Sequence, residues 1–172
     1  MSIHTPASRL PAPDQRSRQI EVLSAMSPDD RLAALEIRRQ VFAEEQGVAD
    51  LRVADPDDAR SIIALASFRA TGTSRDERRP ISTGRLTLPP ARGGQALVAW
   101  VATVPEARGQ GAGRLVMRFL LDAADQAGAQ EVVLAAQLPA ENFYRRLGFT
   151  LAGPLYDVRG IPHRRMIRRR PT

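Results

Sequence analysis

The sequence contains no cysteine and no lysine among its 172 residues, and it has only two histidines. Without cysteine the chain forms no disulfide, no thiolate zinc site and no cysteine nucleophile. His4 and His163 lie too far apart in the sequence for a paired histidine motif, so we expect no metal site. Aromatic residues make up 5% of the chain, which is too few for a surface that stacks nucleic-acid bases.

Long apolar runs are absent as well. No run of eighteen or more apolar residues occurs, so the sequence predicts no transmembrane helix and no membrane partner. Hydrophobic residues make up 43% and charged residues 26% of the chain, which is typical of a globular protein in water. We therefore expect a cytoplasmic protein that buries its core without a disulfide or a structural metal.

All 25 basic residues are arginine, and the formal net charge is +6. Codon composition is our first explanation for this bias. An anionic ligand is the alternative, because arginine binds phosphate and carboxylate with two parallel hydrogen bonds. The arginine-rich segment 164–170 also raises a nucleic-acid hypothesis, which predicts salt-dependent binding and which we rank last.

The chain divides into three parts. Residues 1–18 contain three prolines and little apolar periodicity, so we predict a disordered tail there. Residues 19–168 form a single predicted domain, and residues 169–172 are a basic C-terminal end.

Within the domain the pattern predicts the order β-α-β-β-β-α-β-α-β-β. A first helix starts at Pro28 after the capping residue Ser27, with Leu32, Leu35 and Val41 on its buried side. The stretch from Val98 to Ala136 is predicted to form a strand, a glycine-rich turn, a helix and a second strand. Because the helix crosses over between them, the two strands are expected to be parallel. Hairpins before and after this unit favour a mixed sheet.

The strongest local signal is the glycine-rich turn after the strand 96–104. It contains Gly109, Gly111 and Gly113 and leads directly into an amphipathic helix. Backbone amides at a helix start have no partner within the helix, and the helix dipole adds positive potential there. The turn is therefore a candidate anion site, to which Arg108 and Arg114 add charge.

Several kinds of glycine-rich turn can be compared with this one. A Walker loop requires a lysine followed by serine or threonine, and this turn has neither. The glycine spacing also differs from the G-x-G-x-x-G pattern of dinucleotide-binding proteins. Taken alone, the turn could be a purely structural connection between a strand and a helix.

The segment Arg-Gly-Gln-Gly-Ala-Gly at 108–113 resembles the acetyl-CoA loop of the GNAT-type N-acetyltransferase superfamily. The segment 142–149, in which Tyr144 precedes Gly-Phe by four residues, resembles the second signature of that superfamily. Segments 38–46, 134–137 and 160–163 resemble the ElaA-like branch. The resemblance covers roughly residues 20–168.

The resemblance implies an α/β (α+β) fold with a central, mixed, mostly antiparallel sheet that splays at its middle strands and is flanked by about four helices. It implies an acetyl-CoA-dependent N-acetyltransferase that transfers the acetyl group to an amine by direct attack. The partners would be acetyl-CoA and an amine on a small molecule or a protein, without nucleic acid. A homodimer is compatible with this interpretation.

The resemblance also implies site residues. Tyr144 would protonate the leaving thiolate, and Glu45 or His163 would assist the acceptor amine. The implied cofactor-binding residues are Val101, Ala102, Thr103, Val104, Arg108, Gly109, Gln110, Gly111, Ala112, Gly113, Arg114, Asn142 and Tyr144.

Two departures from the family pattern leave the general base open. The strand before the glycine turn has no acid, although many members of the superfamily carry one there. Arg159 stands where relatives usually have an acid before Gly-Ile-Pro-His. Glu44, Glu45, His163 or a water relay could take the proton. The missing acid also motivates the alternative of a catalytically inactive acyl-CoA-binding module.

Overall fold

The computed structural model describes residues 18–70 and 78–170. Almost all of the predicted tail, and most of the predicted polar hairpin loop at 71–80, lie outside these residues. Among the described residues, the seven strands are β1 (Arg18–Ser24), β2 (Ile62–Ala70), β3 (Arg79–Thr87), β4 (Gln95–Thr103), β5 (Glu131–Gln137), β6 (Thr150–Val158) and β7 (Ile161–Arg169). The α-helices are α1 (Pro28–Arg38), α2 (Ala112–Gln126) and α3 (Glu141–Arg145).

The seven strands form one sheet in the order β1-β2-β3-β4-β5-β7-β6. Every neighbouring pair is antiparallel except β4 and β5, which are parallel. These two strands pair only from Gln95–Glu131 to Leu97–Val133 and then separate. The predicted mixed, mostly antiparallel and splayed sheet is confirmed. We call the space beyond the last pair the gap.

A bulge in β4 lies beside the gap. Thr83 of β3 pairs with Ala102 and Arg85 pairs with Ala99, so β4 has one residue more than β3 over this interval. Trp100 lies in the bulge with φ of 56°, a left-handed conformation that is rare for a bulky side chain. The bulge bends β4 at the point where it leaves β5.

The helices α1 and α2 cover opposite faces of the sheet. A Cβ on Gly84 of β3 would meet Val116 and Leu120 of α2. The next residue, Arg85, points to the other face and contacts Asp55, in the segment that follows α1. The gap therefore connects a face covered by α2 with a face covered by α1.

The start of α1 agrees with the prediction, because the Asp30 amide donates to Ser27 Oγ at 3.1 Å and Pro28 occupies the first turn. The predicted buried side is wrong at Leu32, which is 63% exposed. Ala34, Ile37 and Arg38 are buried instead. Because Arg38 finds a counter-ion in the interior, the helix can turn this charged residue inward. After Arg38 the helix continues as a π-helical segment, Arg39–Glu45.

Arg38 is fully buried. Its two terminal nitrogens donate to the Asp58 carboxylate at 2.8 and 3.1 Å, and Nη1 also donates to the Val53 carbonyl at 3.1 Å. Arg85, also buried, lies 2.7 Å from Asp55 and 3.6 Å from Asp58. Two buried arginines are thus neutralised by two aspartates, and the segment carrying these aspartates is held against the sheet.

Removal of the Asp58 charge should destabilise the fold. Asp58→Asn leaves buried Arg38 without its counter-ion, so we expect the free energy of unfolding to fall by about 3 kcal/mol. The control is Asp57→Asn, whose partner Arg60 is exposed. A pair of that kind contributes less than about 1 kcal/mol. Urea unfolding of both variants measures the difference, and equal losses would contradict the role given to Asp58.

Candidate active site

The glycine-rich turn leaves a row of backbone amides without helical partners. Gly111 precedes α2 with φ of 89°, a conformation that glycine adopts without strain. The first hydrogen bond of the helix runs from the Leu115 amide to the Gly111 carbonyl at 3.0 Å. The amides of residues 112–114 therefore point out of the helix end, where the dipole favours an anion.

The beginning of α2 packs closely on the end of β4. A Cβ on Gly113 would lie 3.2 Å from Thr103 Oγ1, which is closer than most Cβ contacts. The Thr103 hydroxyl is itself fixed by a 2.8 Å hydrogen bond with Ser82 Oγ. The positions of the free amides relative to the gap are thus set by direct contact between the helix and the strand.

A cleft of about 1020 Å³ follows the gap. Its lining comes from the glycine-rich turn and α3, from the π-helical segment and residues 48, 51 and 52, and from the turn between β6 and β7. A cleft of this size accommodates an extended ligand together with a second, smaller molecule.

The edge of β4 presents peptide groups to the gap. The Val104 amide donates to the Ile81 carbonyl at 3.0 Å, and the Ala102 carbonyl accepts from Ser82 Oγ at 2.8 Å, so both residues face β3. Because peptide groups alternate along a strand, those of Val101 and Thr103 face the gap. The Thr103 carbonyl accepts a hydrogen bond from Arg108 Nε at 3.1 Å.

Tyr144 lies in α3 and lines the cleft. Its ring is only 8% exposed and makes edge contacts with Phe143 and Phe149, with ring centroids 5.0 and 5.9 Å away. Burial raises the pKa of the Tyr144 hydroxyl above its usual value, because the phenolate would lose its hydration. Tyr144 is therefore protonated at neutral pH and can donate a hydrogen.

Two neighbouring side chains join the end of the π-helical segment to both sides of the gap. Glu45 accepts from the Arg108 guanidinium at 2.7 and 2.5 Å, on the side of β4. Gln46 exchanges amide hydrogen bonds of 3.0 and 2.9 Å with Gln137 at the end of β5. The hydrogen bonds from Arg108 hold the pKa of the Glu45 carboxyl below its usual value, which makes it a weak base.

His163 lies in β7 opposite Gln137 and lines the open end of the cleft. Its Nδ1 is 2.8 Å from the Ile161 carbonyl. Since a carbonyl only accepts hydrogen bonds, this contact puts a proton on Nδ1, and in the neutral imidazole the lone pair is then on Nε2. The ring also stacks on Tyr156, with centroids 6.2 Å apart.

The structure brings most of the predicted site residues to one cleft. Those that line it are Val101, Ala102, Thr103, Arg108, Gly109, Gly111, Ala112, Gly113, Arg114, Tyr144 and His163. The predicted residues outside its lining are Glu45, Val104, Gln110 and Asn142. Val104 is buried against β3, and Gln110 donates to the Glu106 carbonyl at 3.0 Å.

Sequence reasoning gave no role to several residues of the cleft. Arg52 and Leu51 belong to a segment that the sequence marks only by its acidic residues. Gln46 and Gln137 stood within the two segments that resemble ElaA-like proteins, but nothing in the sequence indicated that their side chains meet across the gap.

Within residues 18–70 and 78–170, no group of three or more histidine, aspartate or glutamate side chains is placed to hold a metal ion. No helix in this part of the chain is sufficiently long and apolar to span a membrane.

A sheet parted between two parallel strands, with a glycine-rich turn at the opening, defines a class of acyltransferases that use acyl-CoA. Residues 33–149 match the acetyltransferase (GNAT) family, and the chain belongs to that family. The predicted superfamily is therefore confirmed.

Individual relatives agree with this assignment. A UPF0039 protein of Synechocystis is 32% identical over 138 residues, which are 80% of this chain and 84% of the relative. The crystal structure of an acyl-CoA N-acyltransferase from Pseudomonas aeruginosa is 26% identical, with a TM-score of 0.70, and the match covers 88% of this chain and 99% of the other. Escherichia coli ElaA is 23% identical with a TM-score of 0.71 over the same shares of the two chains, which shows a common fold.

Proposed function

We propose that this protein is an N-acetyltransferase that transfers the acetyl group of acetyl-CoA to an amine. The observation that carries the proposal is the row of unpaired amides at residues 112–114, which opens onto the gap beside the free edge of β4. The name of the Pseudomonas aeruginosa relative, an acyl-CoA N-acyltransferase, supports transfer to nitrogen.

The cleft offers complementary groups to each part of acetyl-CoA. The diphosphate would accept hydrogen bonds from the amides of residues 112–114, with Arg114 adding positive charge. The pantetheine arm would pair along β4 with the peptide groups of Val101 and Thr103, in place of the missing contacts with β5. The Thr103 carbonyl is held by Arg108, so Arg108 would shift when the arm binds.

Acetyl-CoA supplies the activated thioester. The lone pair of the acceptor amine forms a bond to the carbonyl carbon, and the Thr103 N–H, which faces the gap, would stabilise the negative charge on the carbonyl oxygen. The carbon–sulfur bond then breaks, and the thiolate receives a proton. Tyr144, which lines the cleft, would donate this proton.

The amine must also lose a proton. His163 is better suited to accept it than Glu45, because His163 Nε2 carries a free lone pair in the cleft. Both Glu45 oxygens are bound to Arg108, and Glu45 lies outside the cleft lining. We therefore assign the base role to His163, and we assign to Glu45 the positioning of Arg108.

A second candidate function is a catalytically inactive acyl-CoA-binding module. The observation that favours it is the cleft lining, which contains no aspartate or glutamate among the described residues. Binding of acetyl-CoA without thiol release across a broad panel of amines would support this function over catalysis.

Nucleic-acid binding through the arginines of β7 has less support. Arg164 and Arg169 lie 3.3 and 3.2 Å from Glu141 and Glu131. Arg168 donates to the Asp125 carboxylate at 3.0 and 2.9 Å. Charges that are paired within the protein contribute less to binding a phosphate backbone.

The first test concerns the cofactor. We expect saturable binding of acetyl-CoA in calorimetry, and we expect S-acetyl-pantetheine, which lacks the diphosphate, to bind at least about a hundredfold more weakly, because several hydrogen bonds to a charged group are lost. Equal affinities of acetyl-CoA and S-acetyl-pantetheine would show that the amides of residues 112–114 do not bind the diphosphate. An absence of acetyl-CoA binding at millimolar concentration would overturn the proposed function.

The role of Tyr144 predicts a defined kinetic change. Tyr144→Phe keeps the ring contacts with Phe143 and Phe149 but removes the proton donor, so we expect kcat to fall about a hundredfold. The KM for acetyl-CoA should change little. The measurement is thiol release with a productive acceptor, and an unchanged kcat would exclude Tyr144 as the acid.

The choice of base is tested by a pair of variants. We expect His163→Ala to lower kcat about a hundredfold at neutral pH, because the proton acceptor is lost. Glu45→Gln should leave kcat near the wild-type value and change mainly the KM for acetyl-CoA, through Arg108. If Glu45→Gln instead abolished turnover while His163→Ala did not, the two roles would be reversed.

A further inference from the structure

The charged side chains that line the cleft are all basic. They comprise five arginines, and no carboxylate from the described residues accompanies them. Arg108 and Arg114 belong to the glycine-rich turn and its helix, and Arg146 follows α3, so these three lie with the elements assigned to the cofactor. Arg52 and Arg159 come from other elements, the segment after the π-helical segment and the turn between β6 and β7.

Two carboxylates that follow Arg52 in the sequence are not available to a ligand. Asp58 is bound by buried Arg38. Asp55 is bound by Arg85 and also accepts from the Trp100 indole at 3.0 Å. Two acids of this segment thus neutralise buried arginines, while Asp50, the acid nearest to Arg52 in the sequence, is exposed and does not line the cleft. No carboxylate of the described residues lines the cleft.

Arg52 and Arg159, in contrast, are available to bind a ligand. Both are exposed, and neither forms a hydrogen bond or ion pair with its side chain to any other described residue. Their guanidinium groups therefore keep all of their donors free, and guanidinium matches carboxylate and phosphate geometry.

The backbone at Arg159 gives a second, independent indication. Arg159 has φ of 54° and Gly160 has φ of 82°, which makes a tight turn between β6 and β7. Asparagine, aspartate or glycine adopts the first of these positions more readily than arginine. The turn thus carries a strained arginine at the open end of the gap, and backbone strain of this kind is concentrated at functional positions.

The residues that line the cleft beside these two arginines are mostly apolar or aromatic. Trp100 packs edge-on against Phe42, with ring centroids 5.4 Å apart, and Leu51, Val158 and Ile161 also line the cleft. Such a wall binds a hydrocarbon or aromatic group and offers little to a chain of polar amines.

We propose that the acceptor is an amine that carries an anionic group, carboxylate or phosphate, on an apolar body, and that Arg52 and Arg159 bind this anionic group. The inference rests on the proposed acetyltransferase function. It excludes polyamines and arginine- or lysine-rich peptides as acceptors, because the positive charge of the cleft would repel their positive charges.

The positive cleft also assists the chemistry. A like charge nearby disfavours the protonated amine, so Arg52 and Arg159 would increase the fraction of acceptor that can attack the thioester. This effect partly compensates for the carboxylate that β4 lacks beside the gap.

The test measures binding separately from turnover. Trp100 is the only tryptophan of the chain and lies in the apolar wall, so its fluorescence reports the binding of a ligand beside this wall. The probes, each titrated in the presence of CoA, are phenylalanine, its aminophosphonate analogue, phenethylamine and spermidine. Phenylalanine and the phosphonate carry the anionic group, and phenethylamine is the matched amine without it.

We expect the better of the two anionic probes to bind about tenfold more tightly than phenethylamine, the ratio expected for one hydrogen bond to a charged group. Whether the carboxylate or the phosphonate binds better identifies the anion. Arg159→Glu should remove or reverse the preference. Arg118→Glu, at an exposed position of α2 outside the cleft lining, changes the net charge equally and should preserve it.

Equal or tighter binding of phenethylamine or spermidine by the wild-type protein would overturn the inference. The same loss of preference in Arg159→Glu and Arg118→Glu would also overturn it, since a general charge effect would then explain the result. Thiol release is recorded in parallel with acetyl-CoA. Selective binding of the anionic probes with no thiol release from any amine would overturn the proposed function and leave the assignment of the anion-binding arginines standing.

Discussion

The separation of β4 from β5 after three residue pairs is the constraint on which the rest of this structure depends. Two strands that part inside a sheet expose peptide groups that would otherwise pair, and an exposed strand edge binds an extended ligand readily. The bulge at Trp100 bends β4 away, and Gln46 and Gln137 join the π-helical segment to β5 where the gap opens. An opening through the sheet lets two ligands approach from opposite faces.

The buried arginines determine which carboxylates of this protein are paired. Buried Arg38 and Arg85 occupy Asp55 and Asp58, because an unpaired buried guanidinium would be very costly. Burial on its own would raise the pKa of Asp55, but hydrogen bonds from Trp100, the Asp57 amide and Arg85 outweigh it and bring the value to about 2. The Asp55 carboxylate therefore stays ionised and holds Trp100 in place, while Arg52 and Arg159 in the cleft stay unpaired among the described residues.

Local features were predictable where short-range physics decides them. The glycine-rich turn, the capped start of α1 and the order of strands and helices all follow from turn residues, capping and periodicity. The prediction that Leu32 is buried was wrong, because α1 turns Arg38 towards the interior instead. The buried position of Arg38 depends on the Asp58 carboxylate, twenty residues later in the chain. The bulge at Trp100 was not predictable either, since nothing in an apolar strand marks the residue at which its neighbour departs.

The sequence by itself determined the family, the mixed sheet and the position of the glycine-rich turn, because these depend on residues that are neighbours along the chain. Only the tertiary structure decided which charged groups remain free. It paired Glu45 with Arg108, 63 residues away, and gave the aspartates after α1 to buried arginines. The reason is physical: hydrogen-bond partners are chosen by distance in space and by the cost of burying charge, and a one-dimensional pattern contains neither.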